Sequence, residues 1–173
     1  MALIVEDGTG KTDSDTYADD ATLTAYAVSL GIADLPVDTD ELNALLLNAM
    51  TVLETKCWKG SRTYPENPQA LSFPRSGLSY DGVAVPEDSI PQQLIDAQCS
   101  YAITANTVSL WANNVAGSPG GQVIEETVVG AVTVKYAANA GGGATIYETV
   151  DARADALIRP FTCGFGGLFG IRA

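Results

Sequence analysis

The chain contains no histidine. That removes the side chain most used for proton transfer near neutral pH, and no Ser-His-Asp or Cys-His nucleophile can be assembled from these residues. Cysteine is scarce as well. Cys57, Cys99 and Cys163 are far apart, odd in number and form no CxxC pair. This spacing predicts buried thiols in a reducing compartment, not a disulfide framework or a zinc site. A long apolar run is also missing. The longest uncharged stretch, 97–124, is broken by Gln98, Ser100, Asn106, Asn113, Asn114, glycine and proline, so it is too polar to span a bilayer. No basic segment followed by an apolar run opens the chain, and neither a secretory signal nor a membrane partner is expected.

Positive charge is in short supply. Nine Lys and Arg face 21 Asp and Glu, a net charge of −12. The imbalance is local: residues 1–55 carry 11 acids and a single base, Lys11, whereas the remaining acids and bases nearly cancel. A polyanion would be repelled by the first third of the chain and could be met only where bases gather, between Lys56 and Arg75.

What the chain does have is apolar content, 46% of 173 residues, enough for a core without metal or disulfide staples. After an apolar opening and a turn-rich loop, the spacing predicts a first helix from about Asp15, capped by Asp15 or Ser14 and stopped by Gly31. A second runs from Asp38, at capping-box spacing from Glu41, to about Cys57, with Leu42, Leu45, Leu46, Ala49, Met50, Val52, Leu53 and Cys57 on one face and Leu47 off it. Residues 58–88 are rich in proline and glycine yet carry Trp58, Tyr64, Leu71, Phe73 and Tyr80, which predicts a packed loop.

Pro91 suits the first turn of a third helix reaching about Asn114. This helix is apolar on two sides, one lined by Leu94, Ala97 and Tyr101 and the other by Ile95, Cys99 and Ile103. It is therefore either central to its own fold or shared with another subunit. Alternation around Gly130 predicts a β-hairpin near 122–138, and a last helix is expected around 148–159, ended by Pro160. The fold class expected is mainly α (α+β): a bundle of about four helices with a hairpin inserted before the last. Residues 1–160 form a single domain in this reading, followed by a Gly/Phe-rich tail, 161–173.

Few residues suggest chemistry. Gly10-Lys11-Thr12 ends like a phosphate-binding loop, but Val5 stands where that motif demands glycine, so a surface turn is the better account. Asp13, Asp15, Asp19 and Asp20 do not follow a calcium-loop pattern, because Tyr17 and Ala18 occupy positions that need Asp or Asn and Gly. No catalytic residue, metal ligand or cofactor site is assigned. Trp58, Lys59, Arg62, Tyr64, Phe73 and Arg75 have the composition of a single-strand stacking surface. The competing account is that the aromatics anchor the loop to the core and the bases pair with nearby acids, and the net charge favours it. Phe161, Phe165 and Phe169, four apart, make the tail either a docking peptide or a strap over the core.

Several segments fall in a recognisable order: LIVEDGTG, WKGSR at 58–62, QALSFPRSGL at 69–78, IPQQLIDAQ at 90–98, and VGAVTVKYA before VDARADALIRP. In that order the chain resembles the head-to-tail connector (neck) adaptors of tailed bacteriophages, a family often labelled DnaT-like single-stranded-DNA-binding protein, with Phe73 where tryptophan is common. The resemblance implies a structural virion protein, made in the host cytoplasm, that forms a homo-oligomeric, plausibly twelve-fold ring. That ring would sit between the portal protein and a tail or stopper/terminator protein, with DNA only as passing cargo. A single-stranded-DNA-binding protein of DnaT-like type is the alternative.

Overall fold

The computed structural model describes residues 3–65, 68–111, 125–128, 132–135 and 151–163. The chain divides into two compact units, one comprising Met1–Leu110 with Val150–Ala173 and the other Trp111–Thr149. Among the described residues there are four helices: α1 (Asp20–Ser29), α2 (Thr39–Leu53), α3 (Gln92–Ala105) and α4 (Ala152–Ile158). Three two-stranded antiparallel pairs join them: β1 (Ser61–Arg62) with β2 (Arg75–Ser76), β3 (Ser79–Tyr80) with β4 (Val83–Ala84), and β5 (Glu125–Val128) with β6 (Val132–Lys135). The protein is a small α+β fold, as the apolar periodicity predicts. The β5–β6 pair is the expected hairpin, in register from Glu125↔Lys135 to Val128↔Val132. It is what the second unit contributes to the described residues.

In the first unit α3 packs against α1, α2 and α4. This is why it is apolar on two sides: Leu94, Ala97, Cys99 and Tyr101 are all fully buried within the unit's own core. α3 is central to its own fold, with Ile95 and Ile103 of its second side partly buried. One buried polar side chain ties the packing together. Gln98, with no exposed surface, accepts from the Tyr17 amide at 2.9 Å and donates to Thr16 Oγ1 at 2.6 Å and to the Leu46 carbonyl at 3.2 Å. A buried amide with its donors and acceptor matched fixes register where apolar contacts alone would tolerate slippage.

Helix boundaries differ from expectation at several ends, each because of a specific contact. The first helix begins at Asp20, not near Asp15, because residues 14–18 are held extended along the opening strand. Val5 bridges Thr16 in parallel, and the Asp15 and Glu6 amides donate to the Ile4 and Thr16 carbonyls, both at 2.8 Å. The cap is Asp19, whose carboxylate accepts from the Thr22 amide at 2.8 Å. Gly31 stops this helix as predicted. It adopts φ +71°, and the Gly31 and Ile32 amides turn back onto the Val28 and Ala27 carbonyls, a Schellman closure.

In α2 the capping box is not formed. Asp38 is the cap residue, but its side chain makes no capping bond, and Asp40 and Glu41 meet the positive helix end instead. The predicted face is buried, with Leu45 partly so, except that Cys57 lies past the helix end and is exposed, as Leu47 is. α3 ends at Ala105, short of Asn114. The Asn106 side chain turns away to donate to the Asp34 carbonyl at 2.7 Å. α4 is shorter than 148–159 because Asp151 caps it, accepting from the Arg153 and Ala154 amides, both at 2.9 Å.

The cysteine reading needs correction. Cys99 is a buried thiol, but Cys57 and Cys163 form a disulfide across a sequence separation of 106. Sequence spacing gave no hint of it, because the pairing depends on residues 161–163 lying antiparallel to residues 57–59. The Lys59 amide donates to the Phe161 carbonyl and the Cys163 amide to the Cys57 carbonyl, both at 2.8 Å.

Candidate functional site: the aromatic and basic loop

The residues singled out by sequence are brought together, facing largely inward. Phe73 sits at the centre with no exposed surface. Three rings meet it nearly edge-on: Trp58 at 5.0 Å, Tyr17 at 6.2 Å and Phe161 at 6.5 Å between centroids. Such edge-to-face pairs contribute roughly 0.5–1.5 kcal/mol each beyond the area they bury. Trp58 is 8% exposed and Phe161 1%, and Tyr80 packs on the outer side of Phe161 at 5.9 Å. The rings of Trp58 and Phe73 therefore face protein, and a nucleobase could not stack on them without opening the core. The Trp58 indole N–H is buried without a hydrogen-bond partner.

The bases follow the same logic. Arg75 lies opposite Arg62 in the β1–β2 pair. Its guanidinium donates to the carbonyls of Lys59 at 2.7 Å, Gly60 at 2.8 Å, Ser72 at 3.1 Å and Trp58 at 3.4 Å. Burial and the neighbouring Arg62 charge lower its pKa from the usual guanidinium value. Arg62 donates to the Gln69 carbonyl at 3.2 Å, and Lys59 Nζ to the Pro160 carbonyl at 2.8 Å. Pairing of these bases with acids, as the competing account supposed, is not seen. Among the described residues no carboxylate forms an ion pair with Lys59, Arg62 or Arg75, whereas Lys11 pairs with Asp7 and Lys56 with Asp155. The three bases thus form a positive patch held on backbone carbonyls. Lys59 and Arg62 are exposed and Arg75 is half-buried.

Local sequence explains the geometry. Gly60 takes φ +68°, and a Cβ there would strike the Ser76 carbonyl, so only glycine lets WKG approach the second strand. Gln69, 2% exposed, donates to the Leu71 and Pro74 carbonyls at 2.9 and 3.0 Å and accepts from the Tyr64 amide at 3.3 Å. Glu54 accepts from the Ser72 amide and hydroxyl at 3.0 and 2.8 Å and from the Tyr17 hydroxyl at 3.3 Å, while the Phe73 amide donates to that same hydroxyl at 3.0 Å. Burial, with Glu54 alongside, raises the Tyr17 pKa well above the ordinary phenol value. Sequence reading passed over Gln69, Glu54, Tyr17 and Gln98. The available signal was a polar residue inside an otherwise apolar run, as Gln98 is between Ala97 and Cys99.

The phosphate-loop lookalike is occupied by the protein itself. Glu6, 2% exposed, accepts from the amides of Gly8, Gly10 and Lys11 at 3.0, 2.9 and 2.8 Å and from the Ser14 hydroxyl at 3.1 Å. Lys11 Nζ turns to the Val5 carbonyl at 2.7 Å and to Asp7 at 3.0 Å. Asp7 is held down at about 2, first by its hydrogen bond from the Thr9 side chain and then by Lys11. Among the described residues no cluster of three His, Cys, Asp or Glu is placed to hold a metal ion, and no helix is long and apolar enough to cross a membrane. Phe165 and Phe169 lie outside the described residues.

The pattern that carries this geometry runs from the opening strand to the last helix, and the comparison with known families matches it over the same extent. The family described as "Putative DnaT-like ssDNA binding protein" matches residues 1–173. The chain belongs to this family. No curated protein and no solved structure is significantly similar to it.

Proposed function

We propose that this DnaT-like family member is a structural adaptor, a ring-forming component joining portal and tail in a phage neck, and not an enzyme. The observation supporting it most is the use made of the sequence pattern. Trp58, Gly60, Phe73 and Arg75 are bonded or packed within the loop, and Gln69 holds its Leu71 and Pro74 carbonyls, as expected of a scaffold that presents a rigid surface and not of a site that receives a ligand. The acidic first third suits a protein past which DNA slides without sticking. Because α3 is satisfied within its own fold, contacts between copies would use other surfaces. Val28, Val37 and Val83, 70%, 99% and 70% exposed, are the most exposed large apolar side chains among the described residues. Mass measurement of the purified chain, alone and mixed with portal, tests this. A ring or a portal-bound complex is expected, and a chain that stays monomeric and never joins portal-containing particles overturns it.

The second reading is single-stranded-DNA binding, supported by the family description and by the positive patch of Lys59, Arg62 and Arg75 held on backbone carbonyls. With Trp58 and Phe73 buried, such binding would rest on phosphate contacts. It predicts a steep salt dependence whose log-log slope falls by about 1 when Arg62 is replaced by Gln. No binding of oligonucleotides at low salt removes it.

A further inference from the structure

The strand formed by residues 161–163 is fastened at its far end by the Cys57–Cys163 disulfide and at its near end by burial of Phe161. Between the two, Trp58 bridges Thr162, and the Lys59 and Cys163 amides complete the pairing. The two sulfurs are not equally placed. Cys57 is exposed, with Lys56 and Lys59 on either side of it in the chain, whereas Cys163 is half-buried. Access favours thiolate attack at Cys57. Cys99 takes no part. It is buried in the core, and burial, with Asp96 and Asp19 nearby, pushes its thiol up to about 12.

We infer that Cys57–Cys163 is a redox clasp: a dithiol reductant opens it by attacking Cys57, and opening it frees the strand at 161–163 from the WKG loop. The reductant's thiolate bonds to Cys57 Sγ as the disulfide breaks, and Cys163 leaves as a thiolate that takes up a proton. The reductant's second thiol then displaces Cys57, which is also protonated. Two electrons pass to the protein, two protein thiols form, and the reductant becomes a cyclic disulfide. The clasp does not depend on the adaptor reading, since it follows from the pairing alone.

Three measurements on the full-length folded chain test it. Alkylation under denaturing conditions should label one cysteine before treatment with dithiothreitol and all three after it. Brief exposure to glutathione followed by acid quenching should trap the mixed disulfide on Cys57 roughly tenfold more than on Cys163. Amide resonances of residues 57–59 and 160–163 should move on reduction while those of α3 stay in place. The Cys57→Ser, Cys163→Ser double variant should show the reduced spectrum with or without reductant. The inference is overturned if the disulfide survives native dithiothreitol and yields only on unfolding. It is equally overturned if glutathione is trapped on Cys163, if reduction leaves the 160–163 resonances in place, or if the α3 resonances collapse with them.

Discussion

Replacing Arg75 separates a structural guanidinium from a ligand-binding one. Its donors reach four backbone carbonyls that converge from both sides of the β1–β2 pair. Those of Lys59 and Gly60 lie in exposed bonds and can turn to water when the guanidinium is gone. Those of Ser72 and Trp58 are in part-buried bonds and cannot do so as readily. Counting only the latter, at about 1 kcal/mol each, Arg75→Ala should destabilise the fold by ~2 kcal/mol. In urea, with a slope of roughly 1–3 kcal/mol/M, that moves the midpoint down by about 1 M. Arg75→Lys keeps the charge but has no planar fork, so it should lose most of the same stability. Trp58 emission is a suitable probe because the indole is buried against Phe73. The reasoning is refuted if Arg75→Lys and Arg75→Ala both unfold at the wild-type midpoint while oligonucleotide binding falls only in the alanine variant.

Other consequences are equally direct. Asp19→Ala removes the α1 cap and should cost about 1 kcal/mol at neutral pH. Because the Thr22 hydrogen bonds lower the folded pKa of Asp19, that stabilisation is present above the ordinary carboxylate range and lost as pH falls through the folded value, so wild type and variant should converge in acid melts. Asp151→Ala strips acceptors from the Ser100 and Thr104 hydroxyls, at 2.8 and 2.9 Å, as well as the α4 cap, and should lower thermal stability by ~2–4 kcal/mol. Phe161→Ala should cost about 3–5 kcal/mol in chemical unfolding, because the ring is 1% exposed and meets Phe73 nearly edge-on.

Much of the architecture was legible because it rests on periodicity. The face of α2 and the centrality of α3 are local patterns that burial then obeys, and the stop at Gly31 and the β5–β6 pairing follow local signals of the same kind. Where the reading missed, a contact distant in sequence had displaced a local preference. Ser14 could have capped a helix, but its hydroxyl is taken by Glu6. The helix expected to reach Cys57 ends at Leu53, and Glu54 turns outward to hold Ser72. The cysteine pair is the largest miss, since nothing within a short window of Cys57 signals a partner more than a hundred residues away. For the candidate site, the choice between stacking surface and loop anchors was correctly posed by composition alone. Only the burial of Trp58 and Phe73 decides which way the rings face, and for them it selects anchoring.

The Glu6 loop has one more implication. A ring of converging amides normally behaves as a receptor for oxyanions from the medium, and its order then depends on what the solvent contains. Here the counter-ion is tethered two to five residues from the amides it neutralises. The N-terminal turn is therefore self-saturating, and exchanging phosphate or sulfate buffer for chloride should leave its conformation untouched.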